Sequence, residues 1–477
     1  MSSIYFIGIG GTAMASVAVA LSREGHAISG SDTQLYPPMS TYLDRHNIRY
    51  FSGFSEKNLE HAAADLIVVG NAISRGNLEL EYALDHHLEL TSMPDLVRTH
   101  LIGKNTSVVV AGTHGKTTTT SLVAWLLEHG GLKPGFLVGG IPENFAMGCR
   151  PSGRIEEGFF VSEGDEYDTA FFDKRSKFLL YRPDIAVVNN IEFDHADIFS
   201  SLEDIKRSFR LFINLIPRNG TLIVNGDDPV AMEIASKAFC TVERFGITSH
   251  SEWHARDIVS GSQTTAFELV YKGNYLGHME VPLFGNYNIM NALAATAAAT
   301  HCGLHFDAIA KGMPLFLRPK RRMELVGTFP LNITMIEDFA HHPTAIRVTL
   351  EAITQLYSGR RIVTCFEPRS NTTTRNIFQR ELSECFGPAS VVVMGKVHRP
   401  ERYRPEECLD TARLKAELQE QGKTVFLADE DLEGYPDNIV SFLETTIRRD
   451  DVVVVLSNGS FGNLKTLLTE SFQKNAE

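Results

Sequence analysis

Seven consecutive residues, Gly112-Thr-His-Gly-Lys-Thr-Thr118, follow the apolar run 108–111 and open a helical pattern. Backbone N–H groups of such a loop, together with a helix N-terminus, hold phosphate oxygens. Lys116 is placed to reach the β- and γ-phosphates, and the Thr117 hydroxyl to ligate Mg²⁺. The usual spacing, GxxxxGK[ST], wants glycine at position 110, where this chain has Val110. Lys116 itself reads as an exposed loop lysine of little weight in stability. Two acidic stretches belong with this loop. Residues 162–168 (Ser-Glu-Gly-Asp-Glu-Tyr-Asp) follow the apolar run 159–161, and residues 189–195 (Asn-Asn-Ile-Glu-Phe-Asp-His) follow the apolar run 185–188. Both fall at the carboxyl ends of expected strands, where open α/β sheets place ligands. Oxygen donors suit Mg²⁺, so Glu163 is a candidate metal ligand and His195 a less orthodox one. A second glycine-rich turn lies at the N-terminus, in Gly8-Ile-Gly-Gly-Thr12-Ala13, with Asp32 some twenty residues on. It fits a relaxed dinucleotide fingerprint, GxGxxA plus an acidic residue for a ribose hydroxyl. We expect Gly8, Gly10, Gly11, Thr12 and Asp32 to hold a nucleotide diphosphate; the alternative is a tight turn needing glycine only for its backbone.

Three later clusters stay undecided on their own residues. Asn288 and Asn291 can meet a purine edge or cap a helix. Arg321 and Arg322 can meet a phosphate or form a solvated linker. His341 and His342 can serve a site or simply turn the chain before Pro343.

Elements that must position these residues are visible as short Val- and Ile-rich runs at 4–9, 66–69, 108–111, 185–188, 361–366, 391–394 and 452–456, each followed by a helical pattern. Continuous apolar runs are the mark of buried parallel strands, so the expected class is α/β with doubly wound sheets. A chain of 477 residues suggests about three domains. The polar stretch 99–106 and the basic stretch 318–322 divide it into 1–104, 105–317 and 318–477. Lys and Arg number 45 against 58 Asp and Glu, a net charge of −13, which argues against general nucleic-acid or anionic-membrane binding. The six cysteines form no CxxC pair and read as reduced thiols. Residues 4–21 carry no charge, but no Lys or Arg precedes them and glycines interrupt them. They read as strand, turn and helix rather than a signal peptide, and the expected location is the cytoplasm.

In order and type, these motifs resemble the Mur ligase family, ATP-dependent amide-forming enzymes of peptidoglycan synthesis, over nearly the whole chain. The resemblance rests on residues 112–118, 163–168 and 190–195, on Asn288-x-x-Asn291, and on Asp338-Phe-Ala-His-His-Pro343. The turn at residues 8–11 is similar to that of the branch taking UDP-N-acetylmuramate. Some members of that branch add L-alanine; others add the preformed tripeptide L-alanyl-γ-D-glutamyl-meso-diaminopimelate. Residues 36–40, 70–77, 170–178, 367–372 and 457–462 look like the tripeptide-adding members.

The resemblance implies a Rossmann-like N-terminal domain for the UDP-sugar, a central P-loop ATPase-type domain, and a Rossmann-like C-terminal domain for the peptide. It implies ATP and Mg²⁺ as cofactors, UDP-N-acetylmuramate and the tripeptide as substrates, and no nucleic-acid, membrane or obligate protein partner. Gly112, Thr113, His114, Gly115, Lys116, Thr117 and Thr118 then hold ATP phosphates, and Thr117, Glu163 and His195 serve Mg²⁺. Asn288 and Asn291 lie at the adenine, Arg322 at an ATP phosphate and Asp338 at the ribose. Lys116, Glu163, His195 and Asp338 form the catalytic set. The turn residues with Asn71, Ser74 and Arg75 bind the UDP-sugar. Arg369, after an expected strand, offers a fork for the peptide's distal carboxylate, with Ser370, Asn371, Ser457 and Asn458 as neutral hydrogen-bonding neighbours; alternatively Arg369 only pairs with Glu367. The region 206–210 supports no claim of a carbamylated lysine. Two other readings stand beside this one: simple alanine addition, and a nucleotide-binding switch that forms no amide.

Overall fold

A computed structural model of the chain describes residues 1–33, 35, 39–153, 157–248, 250–428 and 434–474. Of the run 36–40, Tyr36, Pro37 and Pro38 lie outside the described residues. Three large sheets form in succession, beside a two-stranded antiparallel pair of Asp168–Ala170 with Asp173–Ser176. The first is fully parallel, in the order Arg49–Ser52, Ala27–Asp32, Ser3–Ile7, Leu66–Val69, Leu90–Ser92. Its first strand ends at Ile7, two residues earlier than the apolar run, because Gly8 turns the backbone to φ 87°. Gly8 and Ile9 both donate their N–H to Ser31 O, and helix Thr12–Arg23 follows. The uncharged stretch 4–21 is therefore strand, turn and helix. No described helix is long and apolar enough to cross a membrane.

The central sheet has ten strands. Its middle carries the chemistry: Thr106–Ala111 lies between Ile185–Val188 and Phe159–Gly164, all parallel. Val109 and Ala111 pack into one hydrophobic cluster and Val108 and Val110 into another, so both faces of the strand are covered, which is why its sequence is apolar without alternation. The third sheet repeats the device. Val452, Val454 and Leu456 face one cluster, Val453 and Val455 the other. Its order is Glu324–Phe329, Ile333–Asp338, Val452–Leu456, Ile362–Phe366, Val391–Met394, Thr424–Leu427, antiparallel only at the first pair.

Sequence reading missed an antiparallel extension of the central sheet, formed by Trp253–Ser260, Thr265–Tyr271 and Asn274–Val281. The last two are joined by Lys272 and Gly273, both at positive φ, as a tight two-residue hairpin turn requires. Part of the polar stretch 99–106 is also not a linker: helix Met93–Leu96 continues as a wider π turn over Val97–Ile102, with Leu101 and Ile102 buried. All six cysteines are unpaired.

Candidate active site

Three neighbouring strand ends build the site. Beyond Ala111 the chain enters the glycine-containing loop 112–115, and Gly115, at φ 81°, precedes helix Lys116–His129. A Cβ at Gly115 would run into Asn291 Oδ1, so glycine is required here both for backbone conformation and for space. The adjoining strand ends shape the loop. Asn190 accepts from Thr113 N through its carbonyl (2.9 Å) and from His114 N through its side chain (2.8 Å). Asn189 Nδ2 donates to Thr119 Oγ1 at 3.2 Å.

Lys116 is not exposed. It is largely buried, and its ammonium donates to Glu166 Oε2 at 2.7 Å, to Oε1 at 3.0 Å and to Gly112 O at 2.7 Å. The expectation of a loop lysine with little structural weight is therefore overturned: a charge beside a strand-end acidic cluster is drawn inward to its partner. Burial disfavours the ammonium, but Glu166, Asp165 and Glu163 outweigh it and hold the Lys116 pKa above the usual lysine range. Glu166, which sequence reading did not single out, also accepts from His195 Nε2 at 3.0 Å. Burial lowers the His195 pKa, yet Glu166 and Asp194 prevail and raise it. His195 sits at φ 56°, held there by its N–H to Asp194 Oδ1 (2.7 Å).

Glu163 lies inside its strand. Its Oε1 accepts from Thr117 Oγ1 (2.9 Å) and its Oε2 from Gly139 N (2.7 Å), while burial pushes its pKa up. Thr117 Oγ1 is also reached by Arg322 Nη2 at 3.1 Å, and Arg322 lies over the Phe339 ring at 4.8 Å. Asp338 is buried, its carboxylate accepting from Met323 N and Ala340 N, both at 2.7 Å. Asn288 and Asn291 are buried within helix Asn286–His301 rather than capping it; Asn288 Nδ2 donates to Phe284 O (2.8 Å), and Asn291 links Asn288 to Thr119. Lys116, Thr117, Glu163, His195, Asn288, Asn291, Arg322 and Asp338 all line one cavity of about 350 Å³. Lys206, by contrast, pairs with Glu233 at 2.6 Å on helix Leu202–Ile213.

The third domain is tied to the 192–197 loop by named contacts: Thr372 Oγ1 to Asp194 Oδ1 and Asn371 Nδ2 to Asp197 Oδ2, both 2.8 Å, and Thr344 Oγ1 to Glu192 Oε1 at 3.2 Å. Arg369 is half-buried over Gly459, where a Cβ would strike its guanidinium, and pairs with Glu367 at 3.4 Å. Ser457 Oγ donates to Glu367, and Asn458 Oδ1 is buried without a partner among the described residues. Ser370 bonds Thr373 within its own loop. In the first domain, Asp32 Oδ2 accepts from Gly10 N at 2.8 Å, bracing the turn. Asn71 Nδ2 reaches Asp168 O across to the second domain at 2.8 Å. Arg75 is exposed and paired with Glu81, and Ser74 accepts from Asn77 N through its carbonyl. Among His, Cys, Asp and Glu, the trio whose donor atoms approach metal-binding reach among the described residues is one that sequence reading did not assemble: His114, Glu192 and His342.

Three family models match in turn: "Mur ligase family, catalytic domain" over residues 3–104, "Mur ligase middle domain" over 110–299, and "Mur ligase, glutamate ligase domain" over 321–459. The chain is 37% identical to the UDP-N-acetylmuramate–L-alanyl-γ-D-glutamyl-meso-2,6-diaminoheptanedioate ligase of Haemophilus influenzae, covering 97% of this chain and 98% of that one. It is 31% identical to a UDP-N-acetylmuramate–L-alanine ligase of Clostridium acetobutylicum, over 96% and 95% of the two chains. The crystal structure of a murein peptide ligase from Psychrobacter arcticus superposes with a TM-score of 0.73 at 32% identity, covering 99% of both chains. Likeness sustained over almost the full length of these relatives, with family models matching all three parts of the chain in turn, establishes that the chain belongs to the Mur ligase family.

Proposed function

We propose that this chain is an ATP-dependent ligase that joins L-alanyl-γ-D-glutamyl-meso-diaminopimelate to UDP-N-acetylmuramate, serving peptidoglycan recycling. The observation that carries the reading is one cavity in which the phosphate loop, a buried lysine, a hydroxyl–carboxylate pair and an arginine from the third domain converge. The full-length likeness to a tripeptide-adding ligase supplies the substrate class.

The lactyl carboxylate attacks the γ-phosphorus of ATP, giving an acyl phosphate and ADP. The tripeptide's α-amine then attacks the acyl carbon, and phosphate leaves. Both steps accumulate negative charge, so the site contributes placed cations rather than a nucleophile. Lys116 exchanges its contact with Glu166 for the transferring phosphate, and Arg322 reaches phosphate from the other side. Thr117 Oγ1 and Glu163 Oε1 are hard oxygen donors 2.9 Å apart and fit Mg²⁺, which when bound adds positive charge beside the phosphates. We extend the metal assignment to His195, whose Nε2 is engaged by Glu166, so that contact must be exchanged on binding. Asn288 and Asn291 are assigned to the adenine and Asp338 to the ribose. The turn at Gly8, Gly10, Gly11 and Thr12, with Asp32, Asn71, Ser74 and Arg75, is assigned to the UDP-sugar. Arg369, with Ser370, Asn371, Ser457 and Asn458, is assigned to the far end of the peptide.

Separate incubations with UDP-N-acetylmuramate, ATP and either amine test the reading. A product of UDP-N-acetylmuramyl-tripeptide mass, formed with stoichiometric ADP, is expected. ATP turnover with L-alanine alone, or nucleotide binding with no amide product, overturns it.

A further inference from the structure

We propose that His114, Glu192 and His342 form a binding site for a zinc-class divalent transition-metal ion, separate from the Mg²⁺ ligands and spanning the phosphate loop and the third domain. His114 Nε2 lies 3.0 Å from Glu192 Oε2, and His342 Nδ1 lies 3.5 Å from the same oxygen. The three donor atoms all fall within 4.8 Å of one another. A tetrahedral ion with donors at about 2.0–2.1 Å sets them about 3.3 Å apart; the two Glu192 pairs, at 3.0 and 3.5 Å, bracket that spacing, and the two histidine nitrogens close from at most 4.8 Å.

The surroundings orient these donors as outer partners orient metal ligands. His342 Nε2 faces Phe193 O at 3.1 Å, which fixes the proton on Nε2 and turns the Nδ1 lone pair toward Glu192. Thr344 Oγ1 occupies Glu192 Oε1 at 3.2 Å, leaving Oε2 for the ion. Binding exchanges two contacts, Thr344 N to His342 Nδ1 at 3.2 Å and His114 Nε2 to Glu192 Oε2 at 3.0 Å, and the proton shared in the second is released or moves to His114 Nδ1. Burial lowers the His342 pKa and so favours the neutral imidazole that a cation needs, and the hydrogen bonds from His114 and Thr344 hold the Glu192 carboxylate ionised against its burial. Two imidazoles and one carboxylate select zinc, cobalt or nickel over magnesium. Entry is open, since Glu192 and His342 line a cavity of about 300 Å³ beside the helix end at Cys385. The three ligands leave a fourth position free. An ion bound there draws His114 toward helix Pro343–Leu356 and couples the phosphate loop to the third domain.

The test does not depend on the ligase reading, because it contains neither ATP nor either substrate. Metal-stripped protein in excess Mg²⁺ is titrated with Co²⁺, and the visible absorption of the bound ion is followed. One equivalent is expected to bind with the intense absorption of four- or five-coordinate cobalt. His342→Gln and Glu192→Gln should each weaken binding about tenfold or more, while Glu163→Gln leaves it unchanged. Circular dichroism monitors folding; if H342Q fails to fold, E192Q carries the test alone. Wild-type-like binding in the folded variants, a weak octahedral-type spectrum, or loss of the signal only in E163Q overturns the proposal.

Discussion

Lys116→Met isolates the cation from the rest of the phosphate loop. Lys116 and Glu166 form a buried ion pair with contacts of 2.7 and 3.0 Å. Removing one partner of such a pair leaves a buried charge uncompensated, at a cost of about 3–5 kcal/mol. Here His195 remains 3.0 Å from Glu166, so the lower end applies, about 3 kcal/mol. At about 2–4 °C per kcal/mol for a domain of this size, the transition containing the central domain should fall by about 6–12 °C in differential scanning calorimetry. Adding Glu166→Gln removes the orphaned charge and should restore much of the loss. The sign with pH follows from the shifts. Burial raises the Glu166 pKa, but Lys116 and His195 outweigh it and depress it, so its contribution is present above about pH 4.3 and fades as pH falls. The Lys116 pKa is raised, so its contribution is present below about pH 10.4 and fades as pH rises. The penalty of K116M should therefore shrink outside these limits and, between them, grow as pH rises through the raised pKa of His195, where Glu166 loses its remaining cation. Turnover should drop by about 10³ or more, several kcal/mol of barrier. An unchanged melting temperature, or a double variant no more stable than K116M, would refute the pairing argument; near-parental turnover at saturating ATP would refute the phosphate assignment.

Arg369→Lys keeps the charge but loses the fork; steady-state kinetics should show the KM for tripeptide rising about tenfold, worth about 1.4 kcal/mol, with the KM for ATP nearly unchanged. An equal effect on both would remove Arg369 from the peptide site. Gly10→Ala sets a Cβ against Asp32 Oδ2 at 2.8 Å and Leu35 Cδ2 at 2.7 Å; calorimetric titration should show weaker UDP-N-acetylmuramate binding than in the parent. The parent should not bind NAD, and tight NAD binding without a response to the UDP-sugar would sink the assignment. Asp338→Ala leaves the buried N–H groups of Met323 and Ala340 unpaired, about 1–3 kcal/mol each. Thermal unfolding should show the loss and kinetics a raised KM for ATP, whereas an unchanged KM would remove Asp338 from the nucleotide site.

The buried strands could be read from sequence because both of their faces are covered. Residues 66–69, 185–188, 391–394 and 452–456 are strands with those bounds. Strands 253–281 could not be found that way: they close one end of the sheet, mix buried positions with partly or fully exposed ones, and yield no continuous apolar run. The Lys272-Gly273 turn was the available signal. In the site, residue types and strand ends pointed to Lys116, Thr117 and Glu163, because loop chemistry is local. Glu166 was overlooked because its role depends on a partner fifty positions away, and His114, Glu192 and His342 because three separate segments bring them together. Lys116 shows the same limit from the other side: its position in a loop suggested exposure, whereas its burial follows from the carboxylates around it.

The central claim is the choice of amine. A single reaction containing UDP-N-acetylmuramate, Mg²⁺-ATP and equimolar L-alanine and L-alanyl-γ-D-glutamyl-meso-diaminopimelate, stopped early and read by mass spectrometry, gives the ratio of the two kcat/KM values directly. We expect the tripeptide product to exceed the alanine product by at least about a hundredfold, a difference near 2.7 kcal/mol in barrier. Equal products, or an excess of UDP-N-acetylmuramyl-L-alanine, would contradict it.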